Sequence, residues 1–219
     1  MADQLAFEWP SGVARGPDDF FVSEANAKAF AMISAPESWP DRKLVLTGPT
    51  GAGKSHLAGI FRNARNAELF SAETLPVGHQ TEAAAVVVED AESLPSDREE
   101  TLFHLHNNLR ATGGLLLLTS DRPPSRWPIA LPDLASRMQA TTVIEIDNPD
   151  DALLSALIMK LFADRQISPK PDLVRYLATR LERSHAAAAH IVAELDRAAL
   201  AQGRKINKTL AAELLDKQA

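Results

Sequence analysis

The stretch GPTGAGKSH, residues 48–56, restricts the folds open to this chain more than any other part of it. Gly48, Gly53, Lys54 and Ser55 occupy the fixed places of G-x-x-x-x-G-K-[ST], with Pro49, Thr50, Gly51 and Ala52 between them and His56 following. Glycines let a tight loop turn its N–H groups inward, where they can surround phosphate oxygens. A helix beginning at Lys54 would aim its positive end at the same anion. Lys54 would neutralise β- and γ-phosphate charge, and the Ser55 hydroxyl would bind Mg²⁺. Such a loop works only between a strand and a helix. The apolar run KLVLT precedes it, and a helix-like stretch, residues 54–64, follows. The residues therefore point to a chain that binds a nucleoside di- or triphosphate.

The rest of the chain has two rhythms. KLVLT (43–47), AAVVVED (84–90), LLLLTSD (115–121) and TTVIEI (141–146) are too short for helices. Their β-branched and leucine content suits strands buried on both faces, and AELFS (67–71) is a weaker strand of the same kind. Helix-like stretches, residues 54–64 and 97–111, lie between them; in the second, Leu102, Leu105 and Leu109 recur at helical spacing. This alternation predicts an α/β domain, residues 13–148, with a mostly parallel, helix-covered sheet. After Asn148-Pro149 the strand signal stops. Helices are predicted at 150–165, 170–182, 185–202 and 208–217, a small all-α domain over 149–219. Asn148, Ser168, Ser184 and Asn207 are the start signals, and Gly203 is a stop.

Composition narrows the function. Among 219 residues there is no cysteine, which removes disulfides and thiolate metal sites and fits a reduced, cytoplasmic setting. No apolar run approaches the ~20 residues of a membrane helix, and the start has no signal-peptide pattern. A net charge of −6 argues against duplex binding through a basic face. His104 and His106 are two apart and His185 and His190 five apart, spacings that do not share a metal on a helix. Trp39 and Trp127 stand in proline-rich loops and read as surface packing.

A second acidic site belongs beside the phosphate loop. VVVED ends in Glu89 and Asp90 after three valines, at the tip of a predicted strand. One carboxylate can hold Mg²⁺, and the next can orient an attacking water.

With the phosphate loop, LLLLTSDRPP (115–124) and LPDLASR (131–137) form a more specific combination. The chain resembles the AAA+ domain of the bacterial replication initiator DnaA. It is most similar to the Hda-type regulators, DnaA-related proteins that inactivate the initiator after replication begins. The resemblance covers nearly the whole chain, with the four C-terminal helices as the AAA+ lid. It implies ADP or ATP with Mg²⁺ as ligands, and the initiator DnaA and the DNA polymerase sliding clamp as partners. It leaves homo-oligomer assembly open. The DNA-reading domain that follows the lid in the initiator has no counterpart before Ala219, so sequence-specific DNA binding is not expected.

The resemblance also assigns residues. Gln4, Leu5, Phe7 and Pro10 follow the clamp-docking pattern QL-x-L-x-L-P, with Trp9 at another apolar place, so residues 1–12 are expected to dock as an extended peptide. Phe20, Phe21 and Val22 lie where the family cradles adenine, with Ser23 as the cap of the next helix. Asp121 falls at sensor I, and Glu89 and Asp90 at the metal and water positions. Arg137 matches the arginine finger, which would reach the γ-phosphate of ATP held by a neighbouring subunit.

Two departures stand out. The acidic pair is Glu then Asp, where AAA+ proteins usually carry Asp then Glu, and in-line attack depends on fine placement. At the sensor II position stands Ala186 or Ala187, with Arg183 one turn earlier as a substitute. Both favour a protein that holds nucleotide over one that hydrolyses it quickly. The competing expectation is a self-sufficient ATPase of helicase-loader type, with Arg175, Arg180, Arg183, Arg197, Arg204 and Lys205 lining a single-strand track.

Overall fold

The computed structural model describes residues 20–216. The predicted clamp-docking residues Gln4, Leu5, Phe7, Trp9 and Pro10 lie outside them. The elements run α1 (Ala27–Ser34), β1 (Lys43–Thr47), α2 (Lys54–Arg65), β2 (Glu68–Ser71), β3 (Ala85–Glu89), α3 (Glu99–Thr112), β4 (Leu115–Ser120), α4 (Pro132–Ala140) and β5 (Thr142–Glu145). Then come α5 (Asp151–Ala163), α6 (Pro171–Ala178), α7 (His185–Gln202) and α8 (Lys208–Asp216).

The five strands form one sheet in the order β2-β3-β4-β1-β5, every pairing parallel. Register follows from alternation. Leu44, Leu46, Val87 and Leu117 face α1 and α2 with Trp39 and Phe61, while Val45, Val86, Val88, Leu116 and Leu118 face α3 and α4. Both faces of the central strands β1, β3 and β4 are covered, which is why they read as unbroken apolar runs. The edge strands correct that reading: β2 and β5 leave Leu69 and Val143 exposed, because no neighbouring strand or helix covers their outer side. Each fully buried valine or leucine contributes roughly 1.5–3 kcal/mol. The carboxyl ends of all strands share one edge, and the phosphate loop follows β1 there, where the connections diverge to β2 and β5 on opposite sides.

The C-terminal helices have their own core, built from Leu154, Ile158, Phe162, Leu173, Leu177, Ile191, Leu195 and Leu210. Three of the predicted signals hold: the Ser184 hydroxyl accepts from the Ala187 N–H at 3.1 Å, Asn207 Oδ1 from the Leu210 N–H at 2.9 Å, and Gly203 ends α7 with φ +60°. Two do not. The cap of α5 is Asp150, whose Oδ1 accepts from the Leu153 N–H at 2.7 Å, and Asn148 lies two residues short of it. Helix α6 starts at Pro171 with Lys170 before it, downstream of Ser168. In each case a second proline or carboxylate closer to the apolar repeat won.

Both tryptophans correct the surface reading. Trp39 is 3% exposed, stacks on Phe61 at 5.1 Å and donates from Nε1 to the Met32 carbonyl at 2.7 Å. Trp127 is buried beside Leu134 and Met138, and its Nε1 donates to the Ser120 hydroxyl and the Arg122 carbonyl. Proline-rich connections here fold back over the sheet, so their large apolar rings are covered.

Candidate nucleotide site

The phosphate loop is closely fitted to its surroundings. A Cβ at Gly48 would stand 2.8 Å from the Ile146 carbonyl oxygen, so only glycine lets β5 approach. Gly51 has φ +80°, and a Cβ there would meet the His185 ring at 2.6 Å. Lys54 is buried, and its Nζ donates to the Gly48 and Pro49 carbonyls at 2.7 and 3.1 Å, which holds the ammonium inside the loop. Gly53, Lys54 and Ser55 open α2, whose first N–H groups have no helical carbonyl to bond. Such a glycine cradle with a lysine inside fits a polyphosphate.

A cleft runs from the loop to the C-terminal helices. Phe20, Phe21, Asn26, Gly51, Gly53 and His56 line one wall, and Leu153, Leu157, Lys160 and His185 the other. Phe20 lies parallel to Phe30 at 5.6 Å and meets the His56 ring edge-on at 5.3 Å. It therefore serves both core and cleft. Val22 does not join them: it is 44% exposed and absent from the lining. Nor does Ser23 cap a helix at Glu24, since α1 starts at Ala27 after a turn. Asn26, which sequence reasoning missed, holds this segment. Its Oδ1 accepts from the Ser23 N–H at 2.8 Å and its Nδ2 donates to the Phe21 carbonyl at 2.9 Å.

On the other flank of α2, a second cleft brings Ser55 and Glu89 together, with His56 and Lys160 on its rim. Glu89 ends β3, and its Oε1 is buried with no hydrogen-bond partner among the described residues. An orphaned carboxylate oxygen in one cleft with a P-loop hydroxyl fits a hard, oxygen-loving cation such as Mg²⁺. Asp90 turns away from the strand with φ +55°, and its N–H donates to the Thr119 hydroxyl at 3.3 Å. That bond links the ends of β3 and β4. Asp121, just past β4, accepts from Arg122 Nε at 2.9 Å, and its own N–H donates to Glu92 Oε1 at 3.1 Å. The Arg122 bond, helped by Glu92 and the Lys54 charge, holds the Asp121 carboxyl below the usual carboxylate range. Asp121 also lines a cleft with Gly48 and Pro49 of the phosphate loop.

Arg137 belongs elsewhere. It lies in the last turn of α4, just before β5, and its carbonyl accepts from the Thr141 hydroxyl at 2.9 Å. In a parallel sheet the start of β5 is the edge opposite the phosphate loop, so Arg137 does not serve its own nucleotide. The side chain is half-buried, with its guanidinium carbon 5.0 Å above the Phe103 ring centre. Nearby, His106 is buried, and burial together with the charges of Lys43 and Arg137 pushes its pKa down to about 4. Lys43, 2% exposed, donates to the Gly114 carbonyl at 3.0 Å, and burial pushes it down to about 8.

Arg183, the substitute for sensor II, pairs with Asp151 at 2.9 Å at the start of α5 and does not line the cleft. What the C-terminal helices bring to the loop is His185 and Lys160. The sequence marked neither, because their roles depend on how α5 and α7 pack onto the loop. The basic residues of the predicted single-strand track are partly neutralised locally, Arg197 by Glu194 and Arg204 by Glu213. Among the described residues no group of histidines and carboxylates is arranged as a metal site, and no helix is long and apolar enough to cross a membrane.

No protein-family model matches the chain. In sequence it is similar to the chromosomal replication initiator protein DnaA of Crocosphaera subtropica, 27% identical over 187 positions. That match covers 73% of this chain but only 41% of the initiator, so the chain spans about two fifths of the relative's length. In structure it is similar to domain III of the Thermotoga maritima DnaA, with a TM-score of 0.74 at 18% identity, covering 95% of this chain and 98% of that one. A replication initiator DnaA bound to AMPPCP and single-stranded DNA superposes at 0.68, again at 18% identity, over 85% of this chain and 66% of that one. The RuvB Holliday junction branch migration motor of Thermotoga maritima superposes at 0.67, 16% identical, over 93% and 72%. The chain has the AAA+ P-loop fold seen in DnaA domain III and RuvB, and its sequence is similar to that of DnaA at 27% identity.

Proposed function

We propose that the chain is a nucleotide-bound AAA+ adaptor of the Hda type. It holds ADP or ATP with Mg²⁺, docks on the sliding clamp through residues 1–12, and offers Arg137 to ATP held by DnaA. Hydrolysis then silences the initiator, so clamps loaded during replication switch initiation off. In this reading the C-terminal helices are the AAA+ lid, and the setting is cytoplasmic.

The observation that carries the reading is the position of Arg137. It stands half-exposed at the sheet edge remote from its own phosphate loop, in a chain whose fold and sequence are similar to those of DnaA. A guanidinium there stands away from its own nucleotide, which supports a role on a neighbour's triphosphate, where such fingers contribute roughly 10³–10⁵ in rate. Ser55 and the Glu89 carboxylate would hold Mg²⁺, which supplies charge neutralisation to the phosphates when bound. Lys54 and the loop N–H groups bind the phosphate chain, while Phe20 and Leu157 offer apolar surface to the base. Asp90, an exposed aspartate in a left-handed turn, is poorly held for positioning water, which supports slow turnover in the isolated protein.

The test is a reconstituted DnaA ATPase assay with DNA-loaded clamps. Wild-type protein should accelerate hydrolysis, and Arg137→Ala should not, at unchanged affinity for ADP. Normal stimulation by the variant would remove the finger from Arg137. Changing Gln4, Leu5 and Phe7 together to alanine should release the protein from clamp-coated beads; full retention would refute clamp docking. Fast ATP turnover by the protein alone would instead support the helicase-loader alternative.

A further inference from the structure

We infer that Lys160 of α5 and His185 of α7 form a two-base clasp over the phosphate loop, gripping the phosphate chain of a bound nucleotide from the side facing away from the loop's N–H groups. The inference rests on the nucleotide-binding reading and extends it to residues on the C-terminal helices.

Three observations carry it. The His185 ring lies directly over the loop, so close to Gly51 that a Cβ there would touch its Cγ and Nδ1 at 2.6 Å. Lys160 borders both clefts that flank the loop: the one with Phe20, Asn26 and Gly51, and the one with Ser55, His56 and Glu89. The two bases thus bracket the loop, one over Gly51 and the other beside Ser55. Third, neither takes part in an ion pair among the described residues, whereas Arg183, Arg197 and Arg204 all do.

The electrostatics agree. Burial, and then the charge of Lys160, push the His185 imidazole below its ordinary range, so the two repel when both are protonated. Two basic groups on the wall that faces a glycine loop are poorly disposed unless an anion lies beside them. A phosphate chain lying on the loop N–H groups would sit there. It would accept from both bases and supply the negative charge they lack.

The backbone keeps the clasp in place. The Ser184 hydroxyl caps α7 at the Ala187 N–H, which fixes the first turn and with it the His185 Cα. Lys160 lies in the last turn of α5, one helical turn beyond Leu157. An adenine against Leu153 and Leu157 would therefore leave its phosphates running past Lys160 toward His185.

The test measures binding by the full chain of two probes: mant-ADP by fluorescence anisotropy and adenosine by calorimetry. His185→Ala and Lys160→Met should each weaken mant-ADP by about tenfold, the size of one charge-assisted contact at a half-exposed site. Adenosine, which has no phosphate, should bind all three proteins within twofold. His185→Gln and thermal midpoints without nucleotide guard against misfolding, because a misfolded variant would lose both probes together. Unchanged mant-ADP affinity overturns the clasp. So does tighter binding, which would make the His185 ring a plug on an empty loop. If the wild-type chain binds mant-ADP poorly, the nucleotide reading itself fails; if it binds well and the variants match it, only the clasp fails.

Discussion

Arg137 and Phe103 form a cation–π pair, with the guanidinium carbon 5.0 Å from the ring centre on the α3–α4 face of the sheet. Such a contact at a half-exposed site contributes roughly 0.5–1 kcal/mol, enough to hold the side chain in one orientation but not to bury it. Phe103→Ala should therefore leave the thermal midpoint within a few degrees of wild type. It should lower DnaA ATPase stimulation less than Arg137→Ala does. A larger loss from Phe103→Ala would mean that the ring itself makes the decisive partner contact.

The imidazole of His106 makes the fold sensitive to acid. Its pKa is pushed down to about 4 in the folded chain against an ordinary value of 6.5. The unfolded chain therefore binds the extra proton first, and stability falls as pH drops from about 6.5 toward 4. A tenfold difference in proton affinity between the two states is worth about 1.4 kcal/mol, so the loss approaches roughly 3 kcal/mol by the lower limit. Urea titrations across this range should follow that slope. His106→Leu, similar in volume, should flatten it; an unchanged slope would assign the acid sensitivity to carboxylates instead.

Two neighbouring side chains at the start of α5 should behave oppositely. Asp150→Ala removes the acceptor of the Leu153 N–H and should cost about 1 kcal/mol. Asn148→Ala removes no cap and should fall within about 0.5 kcal/mol of wild type. Chemical denaturation of both variants is sufficient, and equal losses would mean that the cap lies upstream of Asp150.

A methyl group on the phosphate loop tests its contact with α7. Gly51→Ala must adopt φ +80° and push on the His185 ring, so it should destabilise the chain by about 1–3 kcal/mol. In a His185→Ala background the collision disappears and only the backbone cost, about 1 kcal/mol, should remain. Additive losses would show that α7 does not rest on Gly51 in solution.

Lys54→Ala should abolish measurable nucleotide binding, because the ammonium is the only cation whose Nζ bonds into the loop among the described residues. Removing it also frees the Gly48 and Pro49 carbonyls, so the loop should loosen without unfolding the sheet. Isothermal titration with ADP and a far-UV spectrum separate the two effects. Retained micromolar binding would place the phosphates elsewhere.

The central strands were legible because both of their faces are covered. An unbroken run such as LLLLTS has no competing reading once helices alternate with it. The phosphate loop was legible for a different reason: its geometry depends on glycine and on nothing distant. The adenine side was half legible. Phe20 and Phe21 line the cleft, yet Val22, one residue on, is exposed, since the course of the chain rather than apolar character decides which side chain faces inward. Asn26, Lys160 and His185 could not be found from spacing, because each is brought to the loop by the packing of a separate helix. Trp127 misled for the converse reason: a polar partner, the Ser120 hydroxyl, satisfies its N–H and lets the ring sink into the core.

The Asp147 N–H donates to the Ala25 carbonyl at 3.1 Å, immediately before the chain enters α5. With the bonds that Ser23 and Ala25 make to Asp150, this contact stitches the strap leading into α1 to the connection between β5 and α5. The way into the sheet domain and the way into the C-terminal helices therefore share one anchor point.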